Sequence, residues 1–265
     1  MQFNQLCESN RQELKTQTKE AQMRRPIAEY DFTDAVKYHY NEFPPKELDY
    51  SKLIEPVAKA TDALARYDQM LKGLHNSEFL LAPLRSQEAL VSSRMEGTIS
   101  TLDEVMRYEA DHDEVDEPLG SETRYEAFEV ALFGAAIKAA QKAMNDGQPL
   151  SESLIKQAHR TLLSFGRGAA KSPGLYKKDQ NYIGDDRTRK VFFVPISPEQ
   201  LAPSIEKLVT FMNGDDFLPL LISAIAHVEF EALHPFNDGN GRIGRLLITL
   251  SLWEKGVISQ PHFYI

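Results

Sequence analysis

The chain has 265 residues, of which 42% are hydrophobic, and its 30 Lys and Arg against 39 Asp and Glu give a formal net charge of −9. This length allows one large domain or two modest ones, and the composition allows a substantial core, which excludes global disorder. The acidic balance argues against non-specific nucleic-acid binding, which depends on excess positive charge. Cys7 is the single cysteine, so no intramolecular disulfide can form, and a cytoplasmic compartment is the simple interpretation.

The sequence predicts neither a membrane segment nor a protein-ligated metal. The first 26 residues lack the apolar stretch of a signal peptide. The longest uncharged apolar run, 217–226, is too short to cross a bilayer. The seven histidines show no zinc-motif spacing, so a metal held wholly by protein ligands is not expected.

Helical periodicity dominates the first half of the chain. Residues 1–25 are polar and are expected to form a frayed helix or a tail, and an amphipathic pattern starts at Ser51. Residues 76–83 are interpreted as a connection. Residues 86–97 predict a helix that a terminal glycine ends, and TLDE at 101–104 is a capping box that opens the next helix.

The acidic stretch 111–120 ends in proline and glycine and is the best linker candidate. We therefore divide the chain into an N-terminal helical region, 1–115, and a core, 116–265. Further helices are predicted at 124–144, from Ser151, at 198–212, at 217–233 and after the loop 234–245.

One β-signal interrupts the helices. Residues 181–194 have β-rich ends around a polar centre with Gly-Asp-Asp, which is typical of a hairpin. The predicted fold class is therefore mostly α, with one β-hairpin in the core.

The loop HPFNDGNGRIGR, residues 234–245, holds one histidine, one aspartate, three glycines and two arginines within twelve positions. A helix should end near His234, since a residue before proline avoids the α region. Another helix should start around Arg242, and its unpaired amides and dipole form an anion site. Arg242 and Arg245 are spaced to reach the same anion, and Asp238 is placed to hold a Mg²⁺ that bridges phosphates.

Two other interpretations compete with a polyphosphate site. Each residue alone fits a helix–loop–helix corner, and an isolated histidine is more often structural than catalytic. The stretch 239–244 also matches the dinucleotide pattern GxGxxG, but the expected strand before it is missing. An unperturbed imidazole has a pKa of about 6.5, near the useful value for a general base, so His234 could take the proton from a hydroxyl that attacks a phosphate.

The same twelve residues resemble the Fic motif, HPFx(D/E)GNGRxxR, without a departure. The resemblance implies a Fic-type helical core, preceded by an N-terminal helical region, and an adenylyltransferase that moves AMP from ATP to a protein hydroxyl. It implies that His234 is the base and that Asp238 holds Mg²⁺. The nucleotide-binding residues it implies are Asp238, Gly239, Asn240, Gly241, Arg242 and Arg245.

Two further segments are similar to the family. Residues 173–195 resemble its flap, and the residues expected to dock the target are Tyr182, Ile183, Gly184 and Phe192. Lys177 stands where Fic proteins often have arginine, which we expect to affect only a flap or surface contact.

The segment SSRMEG, 92–97, resembles the inhibitory motif (S/T)xxxE(G/N), placed N-terminal to the core. Ser92 and Glu96 are spaced i, i+4 and share a helix face, and Gly97 completes the motif. The resemblance implies that Glu96 pairs with Arg245 and thereby occupies the position of the ATP γ-phosphate.

Other functions stay open at this point. The same fold could move another phosphate-containing group or remove AMP, and related chains often carry a DNA-binding winged helix after the core. The chain looks cut before such a continuation, and its acidic balance gives DNA binding no support. The expected partners are a protein with an exposed Tyr, Thr or Ser, this chain itself, and a second copy in a homodimer; no membrane is expected.

Overall fold

The computed structural model describes residues 30–73, 77–95, 100–111, 122–185 and 187–261. The predictions for residues 1–25, for the linker after Asp111, and for Glu96 and Gly97 lie outside these residues. The chain divides into two compact units: residues 1–36 with 182–194, and residues 37–181 with 195–265. The boundary placed at 115/116 stays a prediction.

Helices make up most of the described chain, as the fold class predicted. Eight α-helices occur in the part that the structure describes: α1 Tyr50–Lys72, α2 Ser77–Met95, α3 Leu102–Asp111, α4 Glu122–Asn145, α5 Glu152–Leu162, α6 Pro198–Asn213, α7 Pro219–Leu233 and α8 Asn240–Glu254. None of these helices is long and apolar enough to span a membrane.

The predicted hairpin is present. Strands β2, Ile183–Asp185, and β3, Lys190–Val194, pair antiparallel, and β1, Val36–Lys37, completes a sheet of order β1-β3-β2. A register shift follows Ile183. Gly184 is needed there because a Cβ would approach the Lys190 carbonyl oxygen to 2.4 Å.

Local sequence signals explain where two of the helices begin. Thr101 donates its amide to the Glu104 carboxylate at 2.8 Å, and its hydroxyl accepts from the Glu104 amide at 3.4 Å. This reciprocal pair is the capping box predicted at 101–104. Ser151 caps α5 through the Leu154 amide at 3.4 Å.

The core lies around α7 and α8, which pack against each other, and α4 packs on α5. The side chains closing this core are fully buried and apolar: Phe230, Leu233, Phe236, Ile243, Leu246 and Leu250. Because these residues flank the loop between α7 and α8, apolar burial fixes both ends of that loop.

Several predicted boundaries differ from the structure, most of them by one or two residues. Helix α2 begins at Ser77 rather than near residue 86, so the connection predicted up to Pro83 is wrong from Ser77 onward. The helix continues through Pro83, because residues that follow it, such as Leu90 and Ser93, are buried in the core. Helix α8 begins at Asn240, two residues earlier than predicted.

The segment before α1 is tied to α7 by a buried carboxylate. The Tyr38 hydroxyl donates to Glu229 Oε1 at 2.6 Å, and His39 Nε2 lies 2.8 Å from Glu229 Oε2. Burial and the adjacent carboxylate raise the pKa of Tyr38, so its hydroxyl stays a donor. Glu229 is only 2% exposed and depends on these partners.

Replacing Tyr38 with Phe is expected to lower the free energy of unfolding by about 1–3 kcal/mol, because a buried carboxylate oxygen loses its donor. Urea denaturation measures the change, with Tyr50→Phe as the control, since Tyr50 is 47% exposed. Equal effects of the two substitutions would contradict a structural role for the Tyr38–Glu229 bond.

Candidate active site

His234 ends α7 in a left-handed conformation. Its φ of 45° and ψ of 61° place it in the αL region, and its amide donates to the Phe230 carbonyl at 3.0 Å. The helix end was predicted, but a residue before proline is expected to be extended rather than left-handed. Such a conformation costs on the order of 1–3 kcal/mol and persists only where the surroundings hold it.

The His234 imidazole is neutral at pH 7. Desolvation, and then the nearby Lys177 ammonium, lower its pKa to about 4, whereas the Glu231 carbonyl and Asp238 act in the opposite direction. Its Nδ1 is buried and makes no hydrogen bond of good geometry among the described residues, although the Glu231 carbonyl acts on the ring. A neutral, partly exposed imidazole can accept a proton.

Asn240 shapes the loop that follows His234. Its Oδ1 accepts from the Phe236 amide at 2.8 Å and its Nδ2 donates to the Phe236 carbonyl at 2.9 Å. The side chain is 2% exposed and is fully used inside the loop. A contact from Asn240 to a ligand therefore has to come from its backbone amide.

His159 of α5 supports the loop from beneath. Its Nδ1 accepts from the Gly174 amide at 2.7 Å, so Nε2 carries the proton and donates to the Asp238 carbonyl at 3.0 Å. The ring stacks on Phe236 with centroids 3.7 Å apart. Burial lowers the pKa of His159 to about 4, which keeps it neutral.

The start of α8 presents unpaired amides. Gly239 is the N-cap at φ 74°, and the first helical bond runs from the Ile243 amide to the Gly239 carbonyl at 3.0 Å. The amides of residues 240–242 therefore have no partner within the helix. Together with the positive end of the helix dipole, they form an anion site.

Arg242 and Asp238 lie beside these amides. Arg242 is 7% exposed, and its Nε is a buried donor without a partner among the described residues. Its Nη2 lies 3.5 Å from Asp238 Oδ1, which also accepts from the Gly239 amide at 2.6 Å. A buried guanidinium with an unused donor fits an anionic ligand.

Arg245, one turn further along α8, contacts α2. Its Nε donates to the Ser92 hydroxyl at 2.8 Å and its Nη2 donates to the Ser92 carbonyl at 2.9 Å. Ser92 is 4% exposed. The structure thus joins Ser92, the first residue of the segment that resembles the inhibitory motif, to Arg245, while Glu96 and Gly97 lie outside the described residues.

The predicted docking residues belong to the hairpin unit. Ile183 and Gly184 lie in β2, and Phe192 in β3 is 51% exposed. Tyr182 packs edge-on against Phe32 with centroids 5.0 Å apart. A target-docking role for these residues stays a prediction.

Lys177 differs from its expectation as a flap or surface position. It is 3% exposed, and its ammonium donates to the Leu233 carbonyl at 3.0 Å, at the end of α7. No local pattern in the sequence indicates this contact or the one between His159 and Asp238, because each joins residues more than 50 positions apart. A polar residue that stands alone in the chain reveals its partner only in the fold.

The donor set at Asp238 fits a Mg²⁺ that is shared with a phosphate ligand. Asp238 is one carboxylate with a partly exposed side chain, and Mg²⁺ commonly takes one or two carboxylates plus phosphate oxygens and water. No group of three or more potential metal ligands occurs among the described residues. Asp238 therefore fits a substrate-bridged ion rather than a site built from protein ligands.

The His159→Gln substitution should change how stability depends on pH. The folded pKa of about 4 lies below the usual 6.5, so the unfolded chain takes up a proton first and stability is lost as pH falls from 6.5 towards 4. Glutamine does not titrate. The stability difference between wild type and variant should therefore shrink by about 2 kcal/mol between pH 7.5 and pH 5.

Urea denaturation at the two pH values measures this difference, and His234 is present in both proteins, so its own titration cancels. A difference that is the same at pH 7.5 and pH 5 would contradict a neutral, buried His159.

Comparisons with known proteins agree with this geometry. Residues 54–142 match the Fic/DOC family N-terminal region and residues 149–252 match the Fic/DOC family itself. The second match includes His234 and all of the loop to Arg245.

Curated relatives match a shorter part of the chain. Protein adenylyltransferase fic-1 of Caenorhabditis elegans is 33% identical over 105 residues, 38% of this chain and 19% of that protein. A probable protein adenylyltransferase of Aquifex aeolicus is 31% identical over 111 residues, 42% of this chain and 32% of that protein. The chain therefore spans about a fifth to a third of these relatives.

Solved structures show the same fold. A Fic-domain signalling protein of Bacteroides thetaiotaomicron has a TM-score of 0.61 at 25% identity, over 74% of this chain and 73% of that one. A Fic family protein of Desulfovibrio desulfuricans has a TM-score of 0.61 at 26% identity, over 80% and 60% of the two chains. The motif, the helical core and these matches together show that the chain belongs to the Fic/DOC family.

Proposed function

We propose that this protein transfers AMP from ATP to a hydroxyl side chain of a protein. The relatives of C. elegans and A. aeolicus are named as protein adenylyltransferases, which supports the proposal. The observation that carries it is Arg242, a buried guanidinium with an unused donor at the open N-terminus of α8. A polyphosphate would supply the missing acceptor.

His234 is the base in this reaction. Its Nδ1 is buried, so Nε2 is the ring nitrogen that would take the proton from the target hydroxyl. The hydroxyl oxygen attacks the α-phosphorus, a new O–P bond forms, and the bond from the α-phosphorus to the bridging oxygen breaks. Pyrophosphate leaves with that oxygen, and the proton stays on His234 until solvent removes it.

The start of α8 would hold the triphosphate during this step. The backbone amides of 240–242 would donate to phosphate oxygens, and Arg242 would neutralise their charge. Asp238 would hold Mg²⁺ against the same phosphates, and the ion supplies neutralisation of the charge that develops on the leaving pyrophosphate. Arg245 is assigned to the γ-phosphate.

We further propose that α2 inhibits the enzyme. Arg245, the residue assigned to the γ-phosphate, is bound by the hydroxyl and the carbonyl of Ser92. Glu96 follows Ser92 by four residues, and a carboxylate paired with Arg245 would compete with the γ-phosphate for the same guanidinium. ATP would then bind weakly or with its α-phosphate misaligned for attack.

The substrate is proposed to be a protein with an exposed Tyr, Thr or Ser, this chain itself included. A homodimer is compatible with self-modification between two copies. The single cysteine, Cys7, favours a reducing, cytoplasmic compartment for the reaction.

The His234→Ala substitution should abolish label transfer from α-labelled ATP, with a loss of at least about 100-fold, because general bases contribute 10²–10⁴-fold. The assay incubates the protein with Mg²⁺, ATP and cell lysate and follows labelled bands. A parallel arm uses γ-labelled ATP. Label that appears only from the γ-position would replace AMP transfer with phosphoryl transfer.

The Glu96→Gly substitution should raise the rate of AMP transfer by about 10- to 100-fold, which corresponds to the loss of a charge-assisted hydrogen bond of about 1.5–3 kcal/mol. Ser92→Ala should raise it less, because the Ser92 carbonyl still accepts from Arg245. The α-label assay compares the three proteins. Equal rates for wild type and Glu96→Gly would remove the inhibitory role of α2.

A further inference from the structure

Four consecutive carbonyl groups at the turn around His234 are held by two residues that precede the hairpin. Lys177 donates from its ammonium to Leu233 and from its backbone amide to Pro235, at 3.0 and 2.8 Å. Asn181 donates from Nδ2 to the carbonyls of His234 and Phe236, at 3.0 and 3.2 Å. We name Lys177 and Asn181 the carbonyl clamp.

The two members of the clamp are also joined to each other. The Lys177 ammonium donates to Asn181 Oδ1 at 2.8 Å, which orients the Asn181 amide so that Nδ2 faces the loop. The next residue towards Lys177, Gln180, donates to the Pro195 carbonyl at 3.0 Å and anchors the segment on its other side. The clamp is therefore a connected unit rather than separate contacts.

The carbonyl groups of the turn depend on the clamp because the turn has too few hydrogen-bond donors of its own. The last carbonyls of α7 have no helical donors, and Pro235 has no amide to supply one. The left-handed conformation of His234 is also unfavourable before proline. The clamp provides donors from another segment to the carbonyls of Leu233, His234 and Pro235, and a second donor to the Phe236 carbonyl, which also accepts from Asn240.

The ammonium of Lys177 is unusual for a residue with a purely structural role. It is buried, and both acceptors that it contacts are uncharged, the Leu233 carbonyl and the Asn181 amide oxygen. Burial lowers the pKa of Lys177 to about 8. Among the described residues no carboxylate pairs with this ammonium, and a buried cation held by uncharged acceptors alone is costly.

The Lys177 ammonium also acts on the neighbouring imidazole of His234. Lys177 and Asp238 are the charged groups that act on His234, with opposite effects, and the Glu231 carbonyl acts in the same direction as Asp238. The ammonium also stabilises the negative end of the α7 dipole, next to the residue whose backbone it holds.

We propose that Lys177 and Asn181 are positioning residues that hold the backbone of His234 in its left-handed conformation and thereby direct its imidazole to the reacting hydroxyl. This inference rests on the proposed function of His234 as the base. It assigns catalytic importance to a position where this chain departs from the arginine often found in Fic proteins. A guanidinium has enough donors to bind the same two acceptors.

The test compares Lys177→Met, Lys177→Arg and Lys178→Met in the full chain. Lys178 is exposed and adjacent in sequence, so it is a matched control for loss of one lysine. Steady-state AMP transfer gives kcat and KM, and calorimetry gives the ATP dissociation constant. Since misplacement of a reacting group by about 1 Å costs about 100-fold, kcat of Lys177→Met should fall by about that factor.

The ATP dissociation constant of Lys177→Met should stay within about twofold of wild type, because the clamp does not touch the start of α8. Lys177→Arg should restore most of kcat, and Lys178→Met should match wild type. An undiminished kcat in Lys177→Met, or no rescue by arginine, would overturn the proposal. A parallel loss of ATP binding would also overturn it, since it indicates a general structural role.

A second readout is independent of activity. Nuclear magnetic resonance of labelled histidine should show a higher pKa for His234 in Lys177→Met and an unchanged pKa in Lys177→Arg. If neither wild type nor Glu96→Gly transfers AMP, the proposed function fails. The titration still decides the contact between the clamp and the imidazole in that case, because an unchanged His234 pKa in Lys177→Met would reject it. Where Lys177→Met does not fold, Asn181→Ala takes its place in the kinetic comparison.

Discussion

The left-handed turn at His234 is the constraint on which the site depends. It reverses the chain between α7 and α8 and leaves the imidazole partly exposed with Nδ1 buried. The open N-terminus of α8 begins only six residues after His234, at Asn240. The proposed base and the anion site therefore lie next to each other, because one short loop joins two helices whose apolar faces are packed together.

Polar groups from elsewhere in the same unit maintain this turn. His159 holds the Asp238 carbonyl, Asn240 closes the loop on Phe236, and the carbonyl clamp holds the residues around His234. Each bond is buried or half-buried, where an unpaired partner would be costly. The loop is thus held as a rigid element, which suits a site that has to place a base and a phosphate chain at a fixed separation.

The sequence predicted short-range features better than it predicted the boundaries of the helices. The motif 234–245 is contiguous, so the positions of its glycines, arginines and histidine in the loop follow from their order in the sequence. The capping box at 101–104 is local in the same way. The start of α2 was missed because Pro83 is a strong local signal that packing overrides. The conformation of His234 was missed because the preference of a residue before proline is overcome by contacts with Lys177 and Asn181, more than 50 residues away.

Under the proposed inhibition, the Ser92–Arg245 contact would act on this arrangement without changing it. The guanidinium of Arg245 is engaged by α2 while the turn, the amides and His234 are already in place. Release of Arg245 from Ser92 would then add one guanidinium to an anion site whose backbone is already in place.

The most direct test of the account is a crystal structure of the Glu96→Gly protein with ATP and Mg²⁺. The account predicts phosphate oxygens within about 3 Å of the backbone amides of 240–242, the γ-phosphate at Arg245, and the His234 ring facing the α-phosphorus. A nucleotide bound elsewhere, or a start of α8 that stays filled by protein side chains, would contradict it.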